Sequence, residues 1–306
     1  MKILRFGEKY GSPVTLALGF FDCVHIGHAA VIERARALAR EIGCECAVFT
    51  FINDPAAYIN KKPRLYTFEE RVEALRGLGA DAVVAARFDE EFMHMSAEDF
   101  LALVTDTLDV KAVTCGTDYT YGAEKRGTAE TLKAALAAKG IATETVELLR
   151  ETGHAQKISS TDIKSAVEEG DIERANALLS EPYFMLGRVS HAHGRGATFG
   201  YPTANIPYEK DKLYPAQGVY ATTVTLDGAK YAGGTNIGGK PTFGDSTPSV
   251  ETFILDFDGD IYGKDIKLAF RNRLRGISDF GSAEGLARQL EHDVAHIREI
   301  FSEDEK

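Results

Sequence analysis

Along residues 1 to about 180, short apolar runs alternate with stretches of helical periodicity. Val14–Leu18, Ala47–Phe51, Asp81–Ala86, Lys111–Cys115 and Ala142–Glu147 read as strands. Ala29–Ile42, Phe68–Gly77, Ala97–Thr107 and Ala129–Lys139 read as the helices between them, and in the first Val31, Ala35, Leu38 and Ile42 recur at helical spacing. Such alternation predicts βαβ units and a parallel sheet. In sheets of that kind ligands bind beyond the carboxyl ends of the strands, so the segments following each strand are where chemistry is expected. Asp171–Ser180 reads as a further short helix, which Glu181-Pro182 ends.

From Tyr183 the pattern changes. Tyr183–Val189, Gly218–Leu226, Lys230–Ile237, Ser249–Phe257 and Asp265–Phe270 are short alternating segments bounded by Gly, Pro and Asn. They predict a small antiparallel β-barrel, with hairpin turns at Asp227-Gly228 and Asp258-Gly259. Leu286, Leu290, Val294 and Ile297 mark a terminal helix over Ser282–Ser302. The chain therefore reads as an α/β parallel-sheet domain at 1–182, followed by a barrel domain with a C-terminal helix at 183–306.

Composition narrows the function. A chain of 306 residues, 44% hydrophobic and 26% charged, is long enough for two cores. A net charge of −11 argues against a nucleic-acid partner, which would need a basic surface, but not against a nucleotide substrate. Met1–Gly11 is polar with no apolar leader core, and no run of about 18 apolar residues appears. A cytoplasmic protein without membrane contact is expected. Cys23, Cys44, Cys46 and Cys115 match no zinc spacing and are expected to be reduced, most of them as buried small hydrophobes. Cys23 stands in a segment open to solvent access, and nothing marks it as a nucleophile.

The segments after the strands do collect candidate chemistry. Gly19-Phe20-Phe21-Asp22-Cys23-Val24-His25-Ile26-Gly27-His28 joins a buried strand to a helix start. Backbone N–H groups and the dipole at such a start favour an anion, and Gly27 admits a ligand close to the main chain. His25 and His28 beside that anion site suit phosphoryl or nucleotidyl transfer. The plainer alternative is that they cap the helix; a metal pair lacks a third ligand other than Asp22. Thr50–Pro55 and Gly116–Gly122, with Asp118, follow later strands. Ser159, Ser160 and Thr161 are N-cap types with Lys164 one turn on, fit either for capping alone or for phosphate. In the second half, Gly200-Tyr201-Pro202-Thr203-Ala204-Asn205 offers a hydroxyl and an amide oxygen as hard ligands for Mg²⁺, or is a Pro turn. Glu251 shares its strand face with Phe253, Leu255 and Phe257, so that face is expected to point inwards. A carboxylate there suits a general base.

The motifs H-x-G-H, I-S-S-T and P-T-A-N, in this order along nearly the whole chain, resemble those of the prokaryotic bifunctional riboflavin kinase/FAD synthetases. The resemblance implies a nucleotidyltransferase-like α/β domain that adenylylates FMN to FAD with ATP, releasing pyrophosphate. It also implies a β-barrel domain that phosphorylates riboflavin to FMN with MgATP. It places Gly19, Asp22, His25, Gly27, His28, Asp118, Ser159, Ser160, Thr161 and Lys164 about ATP. Thr203 and Asn205 would hold Mg²⁺ and phosphates, Glu251 would be the kinase base, and Arg275 with the terminal helix would lie near the flavin. Partners are then small molecules, with weak self-association of the chain. Several positions depart from the family pattern. Cys23 replaces Gly, Asn53 and Asp54 replace Pro and His, and Lys164 replaces Arg. Ala192 and Ala197 replace Gly and Arg, Lys240 replaces Arg, and Ile277 and Asp279 alter the charges after Arg275. The alternatives are a chain in which only one half is active, the kinase before the other, a flavin-binding regulatory protein, and an adenylyl- or cytidylyltransferase for another phosphate substrate with an unrelated barrel appended.

Overall fold

A computed structural model describes residues 1–147, 158–190, 203–240 and 245–303. Gly200–Pro202, Ala192 and Ala197 lie outside the described residues, as does the side chain of Lys240. The chain forms two compact units: Met1–Ser160 with Leu178–Ser180, and Thr161–Ala177 with Glu181–Lys306.

The first unit runs β1 (Lys2–Arg5), β2 (Tyr10–Leu18), α1 (Ile26–Ile42), β3 (Glu45–Phe51), α2 (Pro55–Asn60), α3 (Phe68–Gly77) and β4 (Ala82–Ala86). It continues with α4 (Glu90–His94), α5 (Ala97–Thr107), β5 (Leu108–Gly116), β6 (Thr120–Tyr121), β7 (Gly127–Thr128), α6 (Ala129–Ala137) and β8 (Ala142–Val146). A parallel sheet of order β1-β4-β3-β2-β5-β8 results. From β2 the chain builds outwards first through β3 and β4, then through β5 and β8. The crevice between β2 and β5 is therefore the switch point where such sheets take ligands.

Each strand–helix junction has a local cause. Helix α1 buries Ala29, Val31, Ile32, Ala35, Leu38 and Ala39, and stops at Gly43, whose φ of 79° is natural only for a residue without Cβ. Ile42, expected in that stripe, is exposed in the last turn before Gly43. Buried hydroxyls of Thr15 and Thr114 donate to the α1 carbonyls of Ala35 and Val31, at 2.9 and 3.0 Å, and tie the helix to β2 and β5. A capping box of Thr67 and Glu70 starts α3. The polar N-terminus contains β1, unforeseen because this edge strand buries only Leu4 and shows no alternation.

The second unit contains α7 (Ser160–Glu169, from Thr161), α8 (Ile172–Leu178, to Ala177), β9 (Phe184–Arg188), β10 (Thr203–Ile206), β11 (Gly218–Leu226), β12 (Ala229–Lys240), β13 (Asp245–Ile254), β14 (Asp265–Arg275) and α9 (Ala283–Glu303). The antiparallel sheet has the order β10-β13-β12-β11-β14-β9. Its two edges meet at a bridge from Ser190 to Asn205, and Gly187 is small enough for Ile206 to pack where a Cβ would stand. This is a small, nearly closed barrel. Asp227 and Gly228, at φ 49° and 83°, form the two-residue turn joining β11 to β12. Asp258-Gly259 is not a hairpin: β13 pairs with β12 and β10 and β14 with β11 and β9, so the segment crosses between non-adjacent strands.

The expectation for the Glu251 face is also corrected. Phe253 and Leu255 pack with Ala221 and with Ile297 of α9, so that face lies under the terminal helix. The alternate face of β13 carries Val250, Thr252 and Ile254, all buried. There Thr222, Thr235 and Thr252 form a hydroxyl ladder with 2.8 Å steps inside the barrel. Both faces of the strand are buried, so apolarity alone could not say which one the helix covers. Among the described residues no helix is long and apolar enough to cross a membrane.

Candidate active sites

In the first unit, the turn after β2 is strained. Phe21 and Val24 both have positive φ, 54° and 46°, a conformation costly for a bulky or β-branched residue. It is held from several sides. The Thr50 hydroxyl donates to the Phe20 carbonyl, Ser160 Oγ donates to the Asp22 carboxylate, and Ser180 N–H donates to the Val24 carbonyl. Cys23 is fully buried in this turn with its Sγ 4.0 Å from the Ser160 carbonyl, which closes off the solvent access left open by the sequence.

His25 is the N-cap of α1, and its Nδ1 accepts the backbone N–H of His28 at 3.1 Å. The two imidazoles stack with centroids 3.5 Å apart and planes 15° apart, and the Phe21 ring meets His28 edge-on. Capping and chemistry are thus not alternatives. With Nδ1 engaged as an acceptor, a neutral His25 carries its proton on Nε2. Gly27 has the His25 ring 3.1 Å from where a Cβ would stand, so a side chain there would press on the imidazole.

These residues line a cavity of about 690 Å³ together with Gly19, Gly116, Asp118, Val146 and Ile158. One end is polar and faces the helix start. The other is an aromatic wall of Phe49, Phe51, Phe88, Phe92 and Phe100 in mutual edge contact, with Pro55, Ile59 and Met93. The departures Asn53 and Asp54 are employed here. Asn53 exchanges two hydrogen bonds with the backbone of Phe88, at 2.7 and 2.8 Å, and holds that wall in place. Asp54 caps α2 through the N–H groups of Ala56 and Ala57. Of the predicted ATP residues, Gly19, Asp22, His25, Gly27, His28, Asp118, Ser159 and Ser160 belong to this unit. Thr161 and Lys164 belong to the helix counted with the second.

In the second unit, strand register brings the predicted residues into one row. Asn205 stands opposite Glu251, Glu251 opposite Asn236, Asn236 opposite Val219, and Val219 opposite Arg275. Directly opposed side chains on one face have Cβ atoms about 4.5–5.5 Å apart. Glu251 is half-buried and Asn205 is buried. Thr203 lies two residues before Asn205 on the same face, opposite Phe253. Arg275 closes the row with a bidentate bond to Asp293 of α9, at 2.8 and 3.1 Å, and its guanidinium lies over the Phe280 ring.

Sequence reasoning missed two residues in these sites. Asn236 enters the row through a register that no local pattern encodes. Arg71 of α3 is 2% exposed behind the histidine turn. Its signal was present: Phe68, Arg71, Val72 and Leu75 follow helical spacing, so the arginine occupies an apolar-stripe position.

Comparison with known proteins agrees with this division. Residues 8–162 match the FAD synthetase family and residues 179–301 match the riboflavin kinase family. The chain is 36% identical to a bifunctional riboflavin kinase/FMN adenylyltransferase of Bacillus subtilis, over 94% of this chain and 92% of that one. It is 38% identical to its counterpart in Listeria monocytogenes, over the same shares. With that of Escherichia coli it shares 32% over 98% of each chain. A solved structure, described as a macrolide-efflux protein from Streptococcus pneumoniae, superposes with a TM-score of 0.81 at 30% identity, covering 97% of this chain and 99% of that one.

Proposed function

The chain belongs to the bifunctional riboflavin kinase/FMN adenylyltransferases, which make FMN from riboflavin and FAD from FMN with ATP, and we propose that it runs the two steps at the two sites described above. In this reading residues 1–182 adenylylate FMN and residues 183–306 phosphorylate riboflavin, in the cytoplasm, with the chain at most weakly self-associated.

For adenylyl transfer, the polar end of the cavity takes the ATP phosphates and the aromatic wall takes the isoalloxazine ring by stacking. The FMN phosphate oxygen attacks the α-phosphorus and pyrophosphate leaves. Charge on the transferring phosphoryl oxygens is met by the α1 N-terminus and by the Nε2–H of His25, with His28 beside it. The observation that supports this most is the His25 cap, which fixes that tautomer at the sheet's switch point. Asp118, Ser159, Ser160, Gly19 and Gly27 contact the nucleotide in this reading.

For riboflavin phosphorylation, Glu251 takes the proton from the 5′-hydroxyl as its oxygen attacks the γ-phosphorus. The donor set suits Mg²⁺. Asn205 turns its Nδ2 towards the Thr203 carbonyl, at 3.5 Å, which directs Oδ1 away as a hard ligand, and the Thr203 hydroxyl is a second. Bound there, Mg²⁺ would neutralise phosphate charge. Arg275 and α9 border the flavin.

Incubation with MgATP and either riboflavin or FMN, followed by chromatography of the flavins, tests both steps. Glu251→Gln should abolish FMN formation and leave FAD formation from added FMN. His28→Ala should lower FAD formation by roughly two to three orders of magnitude, as expected for one lost transition-state donor, and leave the kinase step unchanged. Loss of both activities in either variant, or of neither, refutes that assignment. FMN without FAD from the wild-type chain would favour a kinase-only protein. No product from either flavin would favour a regulatory flavin binder.

A further inference from the structure

Among the described residues Arg71 leads the fully buried side chains by volume. Its Nη2 donates to the carbonyl of Phe51, the last residue of β3. Its guanidinium lies 4.8 Å from the ring centre of Phe20, in the turn after β2, and 5.9 Å from that of Phe68 on its own helix. The charged and titratable groups facing it are Asp22 and Cys23 of the histidine turn, Asp54 at the cap of α2, and Glu69 of α3. One cation therefore touches the exits of both β2 and β3, the two strands whose ends build the polar and aromatic parts of the cavity.

We propose that Arg71 is a positioning residue for adenylyl transfer, which locks the two strand exits together and supplies the positive charge that lets Asp22 sit in a turn receiving polyphosphate. This rests on the reading of the histidine turn as the phosphate site. Three observations carry it. Asp22 is bound by Ser160, so its carboxylate is a fixed part of the turn and stands next to any anion held there. An uncompensated carboxylate would repel that anion, and Arg71 is the cation behind it. Its Nε is buried without a hydrogen-bond partner, and for stability alone an apolar side chain would serve as well or better. Burial pulls the guanidinium down to about 10, with Asp22 and Asp54 opposing the shift, so it remains charged at neutral pH.

The test uses Arg71→Met and Arg71→Lys in the full chain, with FAD formation from FMN as the readout and riboflavin phosphorylation as the fold control. Arg71→Met should raise the KM for ATP about tenfold or more, with a smaller fall in kcat. Arg71→Lys should keep much of the activity near pH 6.5 and show a new alkaline limb. Burial lowers an ammonium as it lowers the guanidinium, and from a lower starting value, so the lysine loses its charge in the alkaline range where the arginine keeps it. FAD formation by this variant should therefore fall as pH is raised, relative to the wild-type profile. Wild-type KM in a folded Arg71→Met, or a wild-type-shaped pH profile in Arg71→Lys, overturns the proposal. If Arg71→Met does not fold, the Arg71→Lys profile decides alone. His28→Ala run alongside separates the two levels. Unchanged FAD formation there overturns the phosphate-site reading and this proposal with it. Lost FAD formation beside wild-type-like Arg71 variants overturns this proposal only.

Discussion

Replacing Asp293 by Asn removes one charge from the second unit and almost no volume. Asp293 is 2% exposed and receives Nε and Nη2 of Arg275, itself 20% exposed, while Gln289 donates to its Oδ1 at 2.8 Å. In Asp293→Asn one oxygen becomes an NH₂ that faces a donor, and the guanidinium loses its counter-charge inside a nearly closed contact. Breaking a buried pair in this way costs about 3–5 kcal/mol, and the partial exposure of Arg275 argues for the lower end. For a unit of this size about 3 kcal/mol corresponds to a melting temperature lower by roughly 8 °C. The helix that lifts is α9, which covers Phe253 and Leu255 on the face carrying Glu251. Riboflavin phosphorylation should therefore fall about tenfold as the row loses its fixed edge, while FAD formation from added FMN stays at the wild-type rate. The assay is thermal unfolding together with both activities on the same preparation. The double change Arg275→Met with Asp293→Leu should regain most of the stability, since apolar residues of similar volume replace such pairs well. It should not regain kinase turnover. Unchanged melting in Asp293→Asn, or an equal loss of both activities, refutes the view of this pair as the clamp that seats α9 on the kinase unit.

Two further outcomes follow from the first unit. In Gly27→Ala the new Cβ would stand 3.1 Å from the His25 ring and tilt the imidazole off its cap, so FAD formation should drop at least tenfold with little change in melting; a wild-type rate would show that the ring orientation is immaterial. A thiol reagent should find at most Cys44 in the folded protein and all four cysteines after unfolding, because Cys23, Cys46 and Cys115 are buried. Desolvation pushes the Cys46 and Cys115 thiols up to about 12. These are acids raised in the native state, so their contribution to stability is complete below the unfolded value near 9 and is lost as pH rises from there towards 12. Denaturant titrations at pH 7 and 10 should show a lower midpoint at the higher pH, and Cys46→Ala should reduce the difference.

How far the sequence reveals these features depends on what each of them rests on. Helices Phe68–Gly77 and Ala97–Thr107 and strand Gly218–Leu226 were readable to the residue, because caps and periodicity are local. The short helices α2 and α4 were not. They bury no residue fully and start only from the Asp54 and Asp89 caps, so they leave no apolar stripe. The histidine turn was legible as an anion site because a strand, a glycine and a helix start are contiguous in the chain. The aromatic wall was not, since Phe49, Phe88 and Phe100 come from three different segments. Of the row from Asn205 to Arg275, Asn205 and Glu251 were legible in the residues, Arg275 only through the family resemblance, and neither Asn236 nor the order was. Barrel register is set by long-range pairing, including the bulges between β11 and β14, and no window of sequence contains it.

The departures from the family motifs take a different meaning once placed. A histidine and a proline replaced by Asp54 and Asn53 look like losses from a phosphate-binding segment. Here Asp54 starts α2, and Asn53 fastens the backbone of Phe88, whose ring is part of the aromatic wall. The carboxylate that Asp54 adds acts on Arg71, which balances negative charge from the two strand exits. Cys23 in place of glycine is likewise matched to its surroundings: it is sealed between the turn and the Ser160 carbonyl, where a small apolar side chain fills space that a glycine would leave open. None of the three exchanged residues lines the cavity, whereas Gly19, His25, Gly27 and His28 do. A chain that had abandoned adenylyl transfer would have no reason to keep these three exchanges off the cavity wall, and the exchange at Lys164 retains the positive charge; this pattern is what favours two working sites over one.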